Sequence, residues 1–360
     1  MILVGSPRWR SPRRAAVNRP GEIVIRTRNV IGLLFGLLAL SGLSFAAPID
    51  ERGFVPIGGI EQWITVKGAS RENPVVLFVH GGPGNSQSPF ADAMFTGWEK
   101  DFTLVQWDQR GAGRTYGRTG PSIESTLTLE RIVDDGIEVA QYLSKHLRKK
   151  RIVIVGGSWG SLVGIHLAKK RPDLFTAYIG TGQLVNMREN TRASYEHVLA
   201  YARETKDARA AEELTQLGPP PFVGFAKWRT FRKWRNTYQA RLATAPRPDS
   251  KPSAEYATDK DLADYEAADD LNFAHFNFVG TSMTGPMMDI DLRKLGKDIK
   301  IPVYIIQGAV DMNAVPEIAR DYLEWINAPA KQFILVPDTA HADSIASLAQ
   351  VRRVLTMVGQ

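Results

Sequence analysis

The sequence predicts an α/β fold: a mostly parallel sheet with helices on both faces and a helical cap inserted into it. Three observations predict it. Short apolar runs at 75–79, 152–155 and 303–306 read as strands buried on both faces. Segments of helical periodicity alternate with them, the pattern of parallel strands joined by crossover helices. From about 183 to 291 the alternation stops, and helical stretches rich in Arg, Glu and Ala take over. The expected organisation is a leader over 1–46, a core over 47–182 and 292–360, and a cap over 183–291.

The leader stands apart by charge. The 360-residue chain carries a formal net charge of +7. Arg8, Arg10, Arg13, Arg14, Arg19, Arg26 and Arg28 all lie before residue 47, against one acid, Glu22, and the rest holds 38 basic and 37 acidic side chains. The basic character belongs to the leader and not to the body, so a nucleic-acid partner is not expected. Arg26 and Arg28 precede an apolar run over 30–40, and Ser44-Phe45-Ala46 places small residues at the two positions a signal peptidase reads. Cleavage after Ala46 is expected, giving a periplasmic or secreted protein that begins at Ala47. The competing reading is a membrane anchor, because 29–49 is an uncharged stretch near the minimum for a span. Gly32, Gly36, Gly42 and Pro48 favour cleavage. Residues 1–23, rich in Arg and Pro, fit neither a signal nor the fold, and translation is expected to begin near Val24. The sequence has no cysteine, which excludes disulfides and thiolate metal sites.

After the leader, 54–57 and 60–66 flank Gly58-Gly59, a β-hairpin signal. A buried strand follows at 75–79 and a more mixed one at 102–107. Residues 129–147 have helical periodicity. The cluster Lys145, His146, Arg148, Lys149, Lys150 and Arg151 at their end complements the negative pole of a helix. It reads as a solvated helix end. A strand at 152–155, a helix over 161–170 stopped by Pro172 and a strand at 177–180 complete the first half of the core.

In the cap, helical stretches at 189–206 and 208–217 end at Gly218-Pro219-Pro220-Pro221. A basic-aromatic helix is expected over 226–241, then a Pro-containing linker and an acidic helix. Trp228, Arg229, Phe231, Arg232, Lys233, Trp234 and Arg235 read as an amphipathic helix with a buried Trp face, given the near-neutral charge of the body. The core resumes with a strand at 303–306, a helix at 315–326, a strand at 332–336 and a closing helix at 344–358.

The chemistry concentrates in loops that follow strands. Gly156-Gly157-Ser158-Trp159-Gly160 lies directly between a buried strand and a helix, the context of a G-x-S-x-G nucleophile elbow. Such a turn presents the hydroxyl at a helix N-terminus, where free amides and the helix dipole favour developing negative charge. A serine hydroxyl needs a base to take its proton, and the base needs an acid to orient it. On such a sheet the chain order is serine, acid, histidine. Asp311 follows the 303–306 strand and His341 follows the 332–336 strand. Among six histidines, His341 alone comes after Asp311. Asp338 and Asp343 compete for the acid role but crowd His341 in its own loop. His80-Gly81-Gly82-Pro83-Gly84, after the 75–79 strand, is placed to supply a second oxyanion donor beside the backbone N–H of Trp159.

These segments resemble the proline iminopeptidase family of α/β-hydrolases. His80-Gly81-Gly82-Pro83-Gly84, Asp108-Gln109-Arg110-Gly111-Ala112-Gly113-Arg114 and Gly156-Gly157-Ser158-Trp159-Gly160-Ser161 carry the resemblance, with the Asp311 and His341 loops. It covers about 54–180 and again from about 301 onward. It implies the α/β-hydrolase fold and a metal-free, cofactor-free enzyme that removes an N-terminal residue, commonly proline, from peptides. Ser158 then corresponds to the nucleophile, Asp311 to the acid, His341 to the base, and Gly82 and Trp159 to the oxyanion donors. Asp108 and Arg110 are expected to brace the loops. Thr115 stands where the family usually has serine, and the cap does not align with familiar members.

In the family, cap acids receive the substrate's ammonium group. Glu189 and Glu196 are the expected candidates, with the acidic run Glu266, Asp269, Asp270 as a further set. A carboxylesterase or lactonase on the same scaffold is the alternative, because the cap decides which acyl group enters. A non-catalytic binding protein is the remote one.

Overall fold

A computed structural model describes residues 47–359. The expectations for the leader, its cleavage site and its anchor alternative therefore fall outside the described residues.

The hairpin forms as expected. Strand β1 (Ile49–Ile57) pairs antiparallel with β2 (Ile60–Gly68), with Ile57 opposite Ile60 across Gly58-Gly59. There follow β3 (Val75–Val79), β4 (Thr103–Trp107), β5 (Ile152–Gly157), β6 (Phe175–Thr181), β7 (Val303–Gly308) and β8 (Lys331–Val336). They join in one sheet of order β1-β2-β4-β3-β5-β6-β7-β8. It is antiparallel from β1 to β4 and parallel from β4 onward. The helices before the cap are α1 (Ala91–Met94), α2 (Gly113–Thr119), α3 (Leu129–Leu147) and α4 (Trp159–Lys170). The cap holds α5 (Met187–Glu204), α6 (Ala208–Leu217), α7 (Phe225–Leu242) and α8 (Asp259–Asn277), and the core closes with α9 (Pro316–Trp325) and α10 (Ile345–Val358). Among the described residues no helix is long and apolar enough to cross a membrane.

The continuous apolar strands need cover on both faces because successive side chains point to opposite sides. Val75, Leu77 and Val79 pack with Leu143 of α3 and Leu162 of α4 in one layer. Val76 and Phe78 pack with Trp98, Val351 and Leu355 in the other, where α10 lies. This two-sided burial holds the carboxyl ends of β5, β6, β7 and β8 along one sheet edge, and three of the candidate residues follow the ends of β5, β7 and β8.

One polar cluster lies within this packing. The Arg110 guanidinium and the Asp135 carboxylate are 2.7 Å apart and almost wholly inaccessible, at 3% and 0%. Arg131 adds a second contact to Asp135 at 2.8 Å, and Arg110 also donates to the Gly58 carbonyl at 2.7 Å. Removing the acid strands a buried cation, which costs about 3–5 kcal/mol. Asp135→Ala is therefore expected to lower the urea unfolding midpoint strongly, whereas Arg131→Ala, whose side chain is partly solvated, should have a much smaller effect.

Candidate active site

Ser158 sits alone between β5 and α4 with φ 52° and ψ −118°. This conformation is strained for a residue with a side chain. The flanking glycines explain how the chain tolerates the turn. A Cβ on Gly160 would lie 1.9 Å from the Val79 carbonyl oxygen, and one on Gly156 2.4 Å from the carbonyl of Gly160. Backbone therefore packs on backbone at both positions. Ser158 N–H donates to Thr181 O at 2.9 Å, and Ser161 Oγ donates to Ser158 O at 2.6 Å, fixing the elbow to its neighbours.

The loops after β7 and β8 bring two side chains to this point. Ser158 Oγ and His341 Nε2 are 2.8 Å apart, and His341 Nδ1 and Asp311 Oδ2 are also 2.8 Å apart. With a carboxylate acceptor at Nδ1, that nitrogen carries the proton and Nε2 is left to accept from the serine hydroxyl. Asp311 is buried at 1% exposure. Its Oδ1 accepts from the N–H groups of Asn313 (2.7 Å) and Ala314 (2.8 Å), and its Oδ2 accepts from Gln307 Nε2 (3.2 Å). These donors fix the carboxylate's orientation and spread its charge. His341 thus pairs with Asp311 and not with Asp338 or Asp343. Burial raises the pKa of Asp343, whose hydrogen-bond donor is Ser347.

Gly182, which carries no chemical signal in sequence, borders this chain of bonds. A Cβ there would meet His341 Cε1 at 3.1 Å and Nδ1 at 3.2 Å, at a backbone φ of +51°. Gly182→Ala is expected to displace the imidazole and lower kcat by roughly 100-fold, the cost of about 1 Å of misplacement. Unfolding would be measured alongside, and the loss of activity should exceed anything attributable to stability.

The glycine-rich loop after β3 runs against the serine: a Cβ on Gly81 would lie 3.2 Å from that of Ser158. His80 at its head is a structural histidine. Burial lowers its pKa to about 4, its Nδ1–H donates to Gly81 O at 2.9 Å, and its Nε2 accepts from Gln109 N–H at 3.1 Å. Gln109 then joins the two halves of the site. Its Nε2 donates to His80 O (2.9 Å) and its Oε1 accepts from the Trp159 indole N–H (3.1 Å). Asp108 accepts from Arg114 N–H (2.9 Å) and from the Ser88 hydroxyl, while Arg110 holds Asp135. Both are braces, but Gln109 makes the direct link, and an amide inside a glycine-rich motif gives no chemical signal in sequence. Among the described residues, the backbone N–H groups of Gly82 and Trp159 donate to no protein acceptor.

The cap is arranged differently from expectation. Glu189 and Glu196 lie on the exposed face of α5, and Glu189 forms an ion pair with Arg293. The structure does not bring either to the triad. The helical period turns Asn190 and Ser194 inward instead. Asn190 donates to Asn313 O (2.6 Å) and accepts from Val315 N–H (2.8 Å), and Ser194 donates to Met312 O. Of the acidic run on α8, Asp269 reaches the loop after β3, where it accepts from Asn85 Nδ2, one residue past the glycine-rich motif. Burial raises its pKa, and the neighbouring charge of Asp270 adds to the rise. Trp228, Phe231 and Trp234 of α7 are buried at 4%, 1% and 7%, the expected aromatic face.

A strand-to-helix turn carrying a serine, joined to a histidine and a buried aspartate from later strand ends, is the arrangement of the α/β hydrolases. The chain matches the family model described as alpha/beta hydrolase fold over residues 74–347, and it belongs to that family. Curated relatives narrow the comparison. A probable aminopeptidase, YbaC, of Bacillus subtilis is 28% identical over 290 residues, covering 80% of this chain and 90% of its own. A probable proline iminopeptidase of Leptolyngbya boryana is 23% identical over 307 residues, covering 81% and 88%. Among solved structures, the proline iminopeptidase of Mycobacterium smegmatis superposes with a TM-score of 0.62 at 20% identity, covering 85% of this chain and 97% of that one, and shows the shared fold.

Proposed function

We propose that this hydrolase is a serine hydrolase in which Ser158 is the nucleophile, His341 the general base and acid, and Asp311 the orienting acid. The chain of two 2.8 Å contacts from Ser158 to Asp311 carries the proposal. Ser158 Oγ attacks the substrate carbonyl as its proton passes to His341 Nε2, and the developing imidazolium is stabilised by Asp311. The backbone N–H groups of Gly82 and Trp159 receive the tetrahedral oxyanion, and their lack of a protein acceptor is what that role requires. His341 then gives the proton to the leaving group, and water, activated by the same histidine, hydrolyses the acyl-enzyme.

The substrate class we propose is peptides with a free N-terminus, from which proline or another small residue is released. The names of the curated relatives and the glycine-rich, Asp-Gln-Arg-Gly and elbow motifs support it. Asp269 is the acid assigned to the substrate ammonium in place of Glu189 and Glu196, because an arriving cation would favour the ionised carboxylate that burial disfavours. The test compares proline and alanine β-naphthylamides with p-nitrophenyl esters of matched size. Turnover of the arylamides supports the peptidase reading; turnover of esters alone favours the carboxylesterase or lactonase alternative, since a triad serves any acyl transfer and the cap decides the substrate.

Export through the leader is part of the same proposal. Expressed with its leader in a bacterium, the protein is expected to be recovered from the periplasm or medium beginning at Ala47 by N-terminal sequencing. Retention of the full leader in the membrane fraction would favour the anchor.

A further inference from the structure

Helix α7 lies across the catalytic loops with one face turned toward them. On that face Gln239 accepts from Met312 N–H (2.9 Å) and donates to Asn313 Oδ1 (2.9 Å), the two residues after Asp311. Residues three and four apart are neighbours on a helix, so Arg235 stands one turn back on this face and Arg232 just beyond it. The Arg235 guanidinium lies in the electrostatic field of Asp311, and burial draws its pKa down to about 10, so it stays charged at neutral pH. Its carbon lies 5.3 Å from the Trp228 ring centroid and 5.5 Å from that of Phe231. Part of its surface remains accessible.

This cation lacks the partner that three other arginines have. Arg110, Arg114 and Arg131 each pair with a carboxylate. Among the described residues, Arg235 has one hydrogen-bond acceptor, the amide oxygen of adjacent Asn236 at 3.3 and 3.4 Å, and no carboxylate partner. Arg232 has no ion pair either; it lies over Phe273 at 5.9 Å, in the field of Asp269. The indole N–H of Trp228, buried at 4%, also finds no acceptor. Arg235 and Arg232 keep part of their surface in solvent, whereas the Trp228 N–H is a buried donor left without a partner, which is costly. An anionic acceptor on the substrate would give Arg235 the charged partner it lacks.

We propose that Arg235, supported by Arg232 and the Trp228 indole N–H, binds a free carboxylate of the substrate. This rests on the reading of Ser158 as the attacking residue and deepens the peptidase assignment. The C-terminal carboxylate of a dipeptide belongs to the residue directly after the scissile bond. The preferred substrates are therefore dipeptides and similarly short peptides with a free C-terminus: the ammonium faces Asp269 on α8 and the carboxylate faces Arg235 on α7.

Binding is tested apart from turnover in the Ser158→Ala protein, by calorimetric titration with prolyl-alanine and with its C-terminal amide. The free acid is expected to bind at least tenfold more tightly than the amide, the scale of one charge-assisted pairing. Adding Arg235→Gln should bring the ratio close to one, while Arg235→Lys, which keeps the charge, should retain part of it. Equal affinity for acid and amide, binding of neither, or a preference that survives Arg235→Gln overturns the proposal. If the wild-type protein hydrolyses no arylamide yet the carboxylate preference holds, the peptidase reading fails and the anion site stands.

Discussion

Ser158→Ala is expected to reduce kcat by roughly 10⁵–10⁶-fold with little change in KM, the loss seen when a triad nucleophile is removed. The effect is large because no nearby group replaces the hydroxyl. Ser158 occupies the left-handed turn between β5 and α4, and His341 Nε2 points at its Oγ from 2.8 Å. Ser161, the nearest serine along the chain, spends its hydroxyl on the Ser158 carbonyl and accepts from Leu184 N–H. Stability should barely fall, since alanine removes one partly exposed oxygen and relieves nothing in the backbone. Loss of activity at unchanged unfolding midpoint is thus the expected pair of results. A variant retaining more than about a hundredth of the activity would show that another residue attacks.

The second large effect is Asp311→Asn, expected to cost about 10⁴-fold in kcat through the histidine's tautomer. Asp311 Oδ1 accepts from the backbone N–H groups of Asn313 and Ala314. An asparagine must keep its carbonyl oxygen there, because two donors cannot face each other. Its amide nitrogen is then turned to His341 Nδ1, which becomes an acceptor. The proton moves to Nε2, the atom that has to accept from Ser158, and the base is blocked. Asp311→Ala, which imposes no tautomer, should be less damaging than a purely electrostatic account would require. Steady-state kinetics of the two variants side by side separates the explanations.

Much of this was legible in sequence, for identifiable reasons. The strands at 75–79 and 152–155 are apolar throughout because both faces are covered, and the 129–147 helix shows a clear apolar stripe because one face is solvated. Ser158, Asp311 and His341 meet because each follows a strand end, and a parallel sheet places such ends together. The elbow's helix starts two residues earlier than its periodicity suggests, since Ser158 itself precedes its first turn. Helix α2 was missed because Gly113 and Gly117 within it, and Gly111 and Gly120 beside it, mask a periodic signal.

The cap was the least legible part. Which side of α5 faces the site depends on docking, and docking turned Asn190 and Ser194 inward while Glu189 and Glu196 met solvent. Asp269 and Arg235 gain meaning from neighbours that are distant in sequence, Asn85 and Asp311. Gln109 and Gly182 act by shape and bridging, which residue type alone does not announce.

The central claim is that Ser158 is the residue that attacks the acyl carbon. Mass spectrometry of the protein after reaction with a fluorophosphonate tests it most directly. One adduct per chain is predicted, mapped to the peptide carrying Ser158, absent in Ser158→Ala and formed much more slowly in Asp311→Asn. An adduct on another serine, or undiminished labelling of Ser158→Ala, would contradict the account.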